Sequence, residues 1–96
     1  MDEKIKKIAD HYGYEPQSRQ LIEEMAELTQ AINKVWRTRN YPCTQVDAVR
    51  AIDNLFEEIA DVEIMLEQIK YLMNCDSEVA EYREQKLSKQ IKKIGV

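Results

Sequence analysis

Two short acidic segments of this chain, LIEEMAE at 21–27 and LFEEIAD at 55–61, lie 34 positions apart and have nearly the same sequence. Each contains two carboxylates three residues apart: Glu24 with Glu27, and Glu58 with Asp61. On a helix, residues at this spacing lie about 60° apart on one face. Like charges so placed repel each other, and a bound divalent cation such as Mg²⁺ would convert that repulsion into binding energy. The pattern therefore indicates a cation site made by four acids.

The elements that carry these acids are predicted to be helices. The chain has only two glycines and two prolines in 96 residues, and its apolar residues recur at helical spacing. Breaks in the pattern at Gly13, Pro16 and the segment 40–44 predict four helices. Their expected ranges are about 2–12, from after Pro16 (with Ser18 as a candidate N-cap) to 39, 45–74, and 77–94.

The apolar stripes predict how these helices pack. The third helix carries a continuous seam, typical of a bundle: Ala48, Ile52, Leu55, Ile59, Val62, Leu66, Ile69 and Met73. The first helix is expected to turn four residues inward: Ile5, Ile8, Ala9 and Tyr12. We therefore expect one all-α domain over residues 1–96, a four-helix-bundle-type subunit built around a long antiparallel hairpin.

The two acid pairs should meet within that hairpin. The internal similarity continues beyond the acidic segments, since Leu28, Ile32 and Val35 match apolar residues 34 positions later. With the apolar seams facing inward, Glu24 and Glu58 would lie at the border of each seam. Both pairs are about fourteen residues from the hairpin connection, so an antiparallel arrangement places them at about the same height. The sequence thus predicts that they converge on one site.

Composition narrows the classes of partner. A formal net charge of −4 disfavours binding to duplex nucleic acid, which requires a basic surface. Neither a hydrophobic signal segment nor an apolar run long enough to span a bilayer is present, so we expect a cytoplasmic protein without membrane contact. A chain this short gains a larger core by self-association. Ile64, Met65 and Tyr71 lie away from the seam of the third helix and predict a second packing surface, consistent with a homo-oligomer.

The acidic motif resembles that of a known family. Glu23-Glu24-Met25-Ala26-Glu27 followed by Glu58-Ile59-Ala60-Asp61 is similar to the signature of the MazG-like superfamily of all-α nucleotide pyrophosphohydrolases. The resemblance covers about residues 18–73, with a spacer of 30 residues that is slightly longer than in the narrowest versions of the pattern. It implies a helical bundle assembled as dimers or tetramers, and Mg²⁺-dependent cleavage of a nucleoside triphosphate to the monophosphate and pyrophosphate. It also implies that the metal ligands are Glu24, Glu27, Glu58 and Asp61.

These residue types suit that chemistry. Mg²⁺ prefers oxygen ligands and is usually held by a few carboxylates together with substrate phosphates; Mn²⁺ is an alternative ion. A bound ion orients the triphosphate and lowers the pKa of a coordinated water. Glu23 and Glu27 are both candidates for the base that accepts the water's proton. A di-iron bundle would use Glu-x-x-His pairs, and the only histidine, His11, lies on the short first helix.

The phosphates and the nucleobase of a nucleotide substrate need further contacts. Lys34 lies on the acid side of its helix, while Arg83 and Lys86 share a face of the fourth helix with Lys89 beside it. Lys86 and Lys89 resemble basic positions that the family uses on its last helix, and Lys86 joins Glu23 and Glu27 as a candidate catalytic residue. Bases late in a helix are also what the macrodipole alone favours. Trp36 is a candidate for stacking on the base, or for packing in a core or subunit interface.

Several activities remain open at this stage. Within the enzyme class, the phosphoribosyl-ATP pyrophosphohydrolases resemble this family in size and carboxylate pattern, and a dUTPase-like specificity is conceivable. The residues leave the base, the sugar and the number of metals open. From a different class, a non-enzymatic helical interaction module would use the same acids only for solubility. Dependence on a divalent metal separates the two classes.

Overall fold

The computed structural model describes residues 2–96, and these residues form four α-helices and no strand. The helices are α1 (Glu3–Tyr12), α2 (Tyr14–Asn40), α3 (Gln45–Leu72) and α4 (Asp76–Ile94). This confirms the predicted all-α class and the order of the helices. The expected boundaries are correct to within two residues, except for the start of α2.

Side-chain caps explain where two of the helices begin. The backbone N–H of Lys4 donates to Asp2 Oδ1 at 2.7 Å, and that of Asp47 donates to Thr44 Oγ1 at 3.1 Å. Each cap satisfies one of the amide groups that a helix leaves without a partner at its N-terminus. The Thr44 cap fixes the point at which the chain turns into α3.

The start of α2 differs from the prediction. The helix begins at Tyr14, directly after Gly13, whose φ of 84° permits a sharp change of direction between α1 and α2. Pro16 lies in the first turn, where its missing N–H removes no intrahelical bond. Ser18 is not the N-cap, because its hydroxyl donates to the carbonyl of Glu15 at 2.9 Å within the helix.

Helices α2 and α3 form an antiparallel hairpin whose facing residues repeat the 34-residue offset. The inward positions of α2, all buried or half-buried, are Gln17, Leu21, Glu24, Leu28, Ala31, Val35 and Thr38. Adding 34 to each number gives the inward positions of α3, which are also buried or half-buried: Ala51, Leu55, Glu58, Val62, Met65, Ile69 and Leu72. The internal similarity is therefore the repeat of one packing seam. Glu24 and Glu58 occupy that seam itself and not its border.

The inward face of α3 is rotated relative to the predicted one, so that Glu58, Met65 and Leu72 face inward in place of Ile59, Leu66 and Met73. Ile59, Leu66 and Met73, predicted to lie in the seam, are exposed, whereas Met65, assigned above to a second surface, is buried. The helix carries two neighbouring apolar stripes. The inward stripe is interrupted by Glu58, whereas the predicted stripe contains only apolar residues and is therefore the clearer pattern in the sequence. The second surface exists, but Ile59, Leu66 and Met73 form part of it.

Helix α1 packs against both helices of the hairpin. Ile5 and Ala9 are buried there as predicted, while Ile8 and Tyr12, also predicted to face inward, are exposed. The hydroxyl of Tyr71 donates to Asp10 Oδ1 at 2.9 Å, and this hydrogen bond raises the pKa of the Tyr71 hydroxyl. Helix α1 thus covers one side of the C-terminal half of α3.

Helix α4 extends away from the other three helices. Within residues 2–96 it contacts only α3, and none of its own residues is buried. An ion pair between Lys70 and Asp76, with 3.5 Å between nitrogen and oxygen, lies at the connection between the two helices. The molecule is consequently flat, with dimensions of 46 × 43 × 20 Å. Nowhere in the described chain does a helix have the length and apolar character needed to cross a bilayer.

Candidate functional site

Three of the four predicted ligands converge across the hairpin. Glu24 and Glu27 of α2 and Glu58 of α3 each place one carboxylate oxygen within 4.8 Å of the other two. We call these three residues the acidic cluster. Glu24 and Glu58 reach it from the packing seam, and Glu27 lies one turn further along α2 on the exposed side. The first acid pair thus meets one member of the second pair, and Asp61, predicted to join them, does not.

The cluster contains buried oxygens without partners. Glu24 Oε1 accepts a hydrogen bond from Gln20 Nε2 at 2.8 Å. The second oxygens, Glu24 Oε2 and Glu58 Oε2, are buried and have no hydrogen-bond partner among residues 2–96. Burying a carboxylate oxygen without a donor or a cation is unfavourable. The packing of the hairpin therefore leaves two oxygens that a cation would satisfy.

Electrostatics within the cluster raise the pKa of Glu58. Burial makes the largest contribution, followed by the negative charges of Glu27, Asp61 and Glu24 and by a hydrogen bond with Glu27. Each of these effects disfavours the charged form of the Glu58 carboxyl. A cation bound nearby would act in the opposite direction and favour the charged form.

The other two predicted acids lie outside the acidic cluster. Asp61 is exposed and its carboxylate is not among the three that converge, although its charge contributes to the raised pKa of Glu58. Glu23 is exposed and also lies outside the cluster. Of the two candidate bases, Glu27 is therefore the one that the fold places beside the other ligands.

A groove leads from the acidic cluster toward the hairpin connection. Its first part has a volume of about 440 Å³ and is lined by Glu27 and Glu58 together with Lys34, Arg37 and Asn54. The last three residues also line the second part, which has a volume of about 710 Å³ and includes Arg50 and Tyr41. The two parts share residues and are thus continuous. Glu27 and Glu58 lie in the first part, where Lys34 and Arg37 balance their charge, whereas basic residues predominate in the second part.

Besides the two acids of the acidic cluster, Lys34 was identified from the sequence, whereas Arg37, Arg50 and Asn54 were not. Arg37 lies three residues after Lys34 on α2, and Asn54 and Arg50 lie one and two turns before Glu58 on α3. Their helical angles place them on the same side as Glu27 and Asp61. The helical angle that identifies Lys34 as lying on the acid side therefore also identifies Arg37, Asn54 and Arg50.

The two aromatic residues at the hairpin connection have different positions. The ring of Trp36 makes an edge contact with Tyr41, with centroids 5.8 Å apart and planes at 70°. Trp36 is 56% exposed and lines neither part of the groove, whereas Tyr41 lines the second part. Within one chain, Tyr41 is thus better placed than Trp36 to contact a ligand in the groove.

The basic residues of α4 are separate from the acidic cluster. Arg83 and Lys86 line a surface groove formed by α4 residues alone, and Lys89 is exposed. Since α4 contacts only α3 within residues 2–96, and only a few residues of it do so, the fold does not bring Lys86 or Lys89 to Glu58 of the same chain. Any contact between these cations and an acidic cluster would involve a second copy of the protein.

Comparisons with protein-family models, with curated proteins and with solved structures gave no match to this chain.

Proposed function

We propose that this protein is a Mg²⁺-dependent nucleotide pyrophosphohydrolase that cleaves a nucleoside triphosphate to the monophosphate and pyrophosphate. The convergence of Glu24, Glu27 and Glu58, with two buried oxygens lacking partners, is the observation that carries this proposal. The resemblance of the acidic motif to that of the MazG-like superfamily supports the same activity. Lys34 and Arg37 beside the acids supply positive charge for the phosphates.

The donor set fits Mg²⁺. All three converging ligands are carboxylates, which are hard oxygen donors of the kind this ion prefers, and no sulfur or imidazole is among them. Glu24, Glu27 and Glu58 would hold the ion, and Asp61 is the additional ligand expected from the motif. When bound, Mg²⁺ offsets negative charge on the phosphates and lowers the pKa of a coordinated water. Mn²⁺ fits the same donor set.

In this proposal Glu27 is both a ligand and the base, and the cations of the groove hold the phosphates. Glu27 is the exposed member of the acidic cluster and is placed to accept the proton of the attacking water. Lys34 and Arg37 hold the phosphate chain in position for in-line attack, since most of the catalysis in phosphoryl transfer comes from positioning and electrostatics. Tyr41 lines the second part of the groove.

The active form in this proposal is a homo-oligomer, a dimer or tetramer. Helix α4 has no buried residue and carries a stripe of exposed apolar residues that includes Val79, Leu87 and Ile91. Packing of this stripe against a second copy would bury it. It would also bring Lys86 and Lys89 of one subunit close to the phosphates that another subunit binds.

A substrate screen tests the proposal. The purified chain is incubated with each ribonucleoside and deoxyribonucleoside triphosphate and with phosphoribosyl-ATP, with Mg²⁺, with Mn²⁺ or with excess chelator, and released pyrophosphate is measured. We expect metal-dependent release from at least one substrate and none with chelator. Absence of release from every substrate with both metals would contradict the proposal. Turnover of phosphoribosyl-ATP alone, or of dUTP alone, would identify one of the narrower specificities.

A second candidate is a helical interaction module without enzymatic activity. The exposed apolar stripe of α4 favours it, because such a surface is typical of a segment that packs against a partner. This alternative requires no metal. It would be favoured if the chain bound no divalent cation yet still associated through α4.

A further inference from the structure

We propose that the basic end of the groove, formed by Lys34, Arg37 and Arg50, is a polyphosphate subsite. We infer that it holds the terminal two phosphates of the substrate, which leave together as pyrophosphate. The identity of the substrate rests on the function proposed above, whereas the binding of polyphosphate to these three cations does not.

The three cations come from both helices of the hairpin and face one cavity. Lys34 and Arg37 lie on α2 and Arg50 on α3, and all three line the part of the groove that has a volume of about 710 Å³. Asp47 is the single carboxylate lining this part, so its charged residues sum to +2. None of the three cations forms an ion pair with an acid of residues 2–96. The cavity therefore presents positive charge that the described chain does not neutralise.

Polyphosphate is the anion that this arrangement favours. Two guanidinium groups each offer a planar fork that matches two phosphate oxygens, and charge-assisted bonds of this kind are the strongest hydrogen bonds in proteins. Arg50 precedes Glu58 by two turns of α3, a distance of about 12 Å along the helix. A triphosphate chain together with the long arginine side chains spans that distance. A single carboxylate or sulfate would reach only part of the set.

The unequal distribution of charge along the groove sets the direction of the substrate. The groove-lining carboxylates that would hold a metal ion lie only in the first part, whereas Arg50 extends the cations into the second part, so the phosphate chain would run from Glu58 toward Arg50. Water adds to the α-phosphorus, and the bond from that phosphorus to the oxygen bridging the α- and β-phosphates breaks. The electron pair leaves on pyrophosphate, and the proton of the water passes to Glu27. Cations at the basic end stabilise the charge that develops on the departing oxygens.

Titration calorimetry with the 96-residue chain tests the subsite apart from any activity. The probes are inorganic tripolyphosphate and pyrophosphate, with chelator present so that no metal contributes. The variants Arg37→Gln and Arg50→Gln each remove one guanidinium, and Arg39→Gln is the matched control, because Arg39 lies two residues further along α2 and lines neither part of the groove. We expect each groove variant to weaken tripolyphosphate binding by about tenfold or more, and the control to bind within about twofold of wild type.

Thermal melts confirm that the variants are folded, and Arg37→Lys, which keeps the charge but loses the fork, is expected to bind with intermediate affinity. The subsite is overturned if wild type binds no polyphosphate, or if Arg39→Gln weakens binding as much as Arg37→Gln. Polyphosphate binding that depends on Arg37 and Arg50, in a chain that hydrolyses no nucleotide, would uphold the subsite and sink the proposed function. If both groove variants hydrolyse nucleotide with unchanged KM and unchanged inhibition by pyrophosphate, the proposed function is upheld and the subsite is overturned.

Discussion

Gln17 and Gln68 form a buried hydrogen bond across the hairpin, in which Gln17 Nε2 donates to Gln68 Oε1 at 2.7 Å. The bond joins α2 to α3 at one level of the hairpin. Glu27 lies ten residues after Gln17, and Glu58 lies ten residues before Gln68, so equal rise along two antiparallel helices places them at one height. The buried amide pair and the level of Glu27 and Glu58 therefore belong to one register of the hairpin.

The amide pair can be tested by replacing one or both partners. Gln68→Leu leaves Gln17 buried without its partner, which we expect to lower the free energy of unfolding by about 1–3 kcal/mol. The double variant with Gln17→Leu removes both polar groups and should recover much of that loss, since an apolar pair of similar size is tolerated. Urea denaturation measures all three proteins. A double variant no more stable than the single one would contradict this account.

Divalent metal should stabilise the folded chain. The oxygens of Glu24 and Glu58 that lack partners are brought together only in the folded state, so a metal ion that binds them shifts the unfolding equilibrium by mass action. We expect millimolar Mg²⁺ or Mn²⁺ to raise Tm in wild type and to have little effect on the variant that combines Glu24→Gln with Glu58→Gln. Melting curves unchanged by either metal, with and without nucleotide, would contradict the assignment of the metal site.

The raised pKa of Glu58 predicts a specific dependence of stability on pH. A carboxyl whose pKa is higher in the folded than in the unfolded state binds more protons when folded, so its contribution to stability is present at low pH and is lost as pH rises through the folded pKa. Without metal, Glu58→Gln should therefore be more stable than wild type at neutral pH, and the difference should shrink as pH falls toward 5. Tm values of both proteins across pH 5–8 check this. A difference that widens on acidification would show that the sign is wrong.

The duplication supplies controls for the ligand assignment. Amide substitutions at the expected ligands remove a charge with little change in volume, so Glu24→Gln, Glu27→Gln, Glu58→Gln and Asp61→Asn should each lower activity by roughly 10² or more. Glu57 precedes Glu58 but is exposed and outside the acidic cluster, so Glu57→Gln should have a much milder effect. Glu23→Gln should likewise be mild if Glu27 is the base. Activity is measured at saturating Mg²⁺ on a confirmed substrate, and near-neutral effects at the first four positions would refute the site.

The sequence was sufficient for the helices and for the approach of Glu24, Glu27 and Glu58, but not for the position of Asp61 or the orientation of α3. The i, i+3 spacing of the acids and their equal distance from the connection depend only on helix geometry, which is transferable between chains. The inward stripe of α3 includes Glu58 and Gln68, so polar residues hid it behind the more regular stripe through Ile59 and Leu66. Arg37 and Arg50 share the helical angle of Lys34, but they lie on different helices, and their meeting in one groove depends on the register of the hairpin.

The apolar residues left exposed on the hairpin lead to a test of oligomerisation. Exposed residues of α2 and α3 again match at the 34-residue offset: Ile22 with Phe56, Met25 with Ile59, and Ile32 with Leu66. Their helical angles place both rows on the face of the hairpin opposite Glu27 and Asp61. A contiguous apolar face of this kind is typical of a subunit interface, and packing two such hairpins together would complete a four-helix core.

We therefore expect sedimentation at micromolar concentration to show at least a dimer of the 11.3 kDa chain. Leu66→Glu should shift the population toward monomer, because it places a charge in the middle of the face that dimerisation would bury. Val46→Glu is the control, since Val46 is an equally apolar, exposed residue of α3 that lies on the other side of the helix. Wild type that remains a monomer at high concentration, or loss of the dimer in Val46→Glu to the same extent as in Leu66→Glu, would show that this face is not the interface.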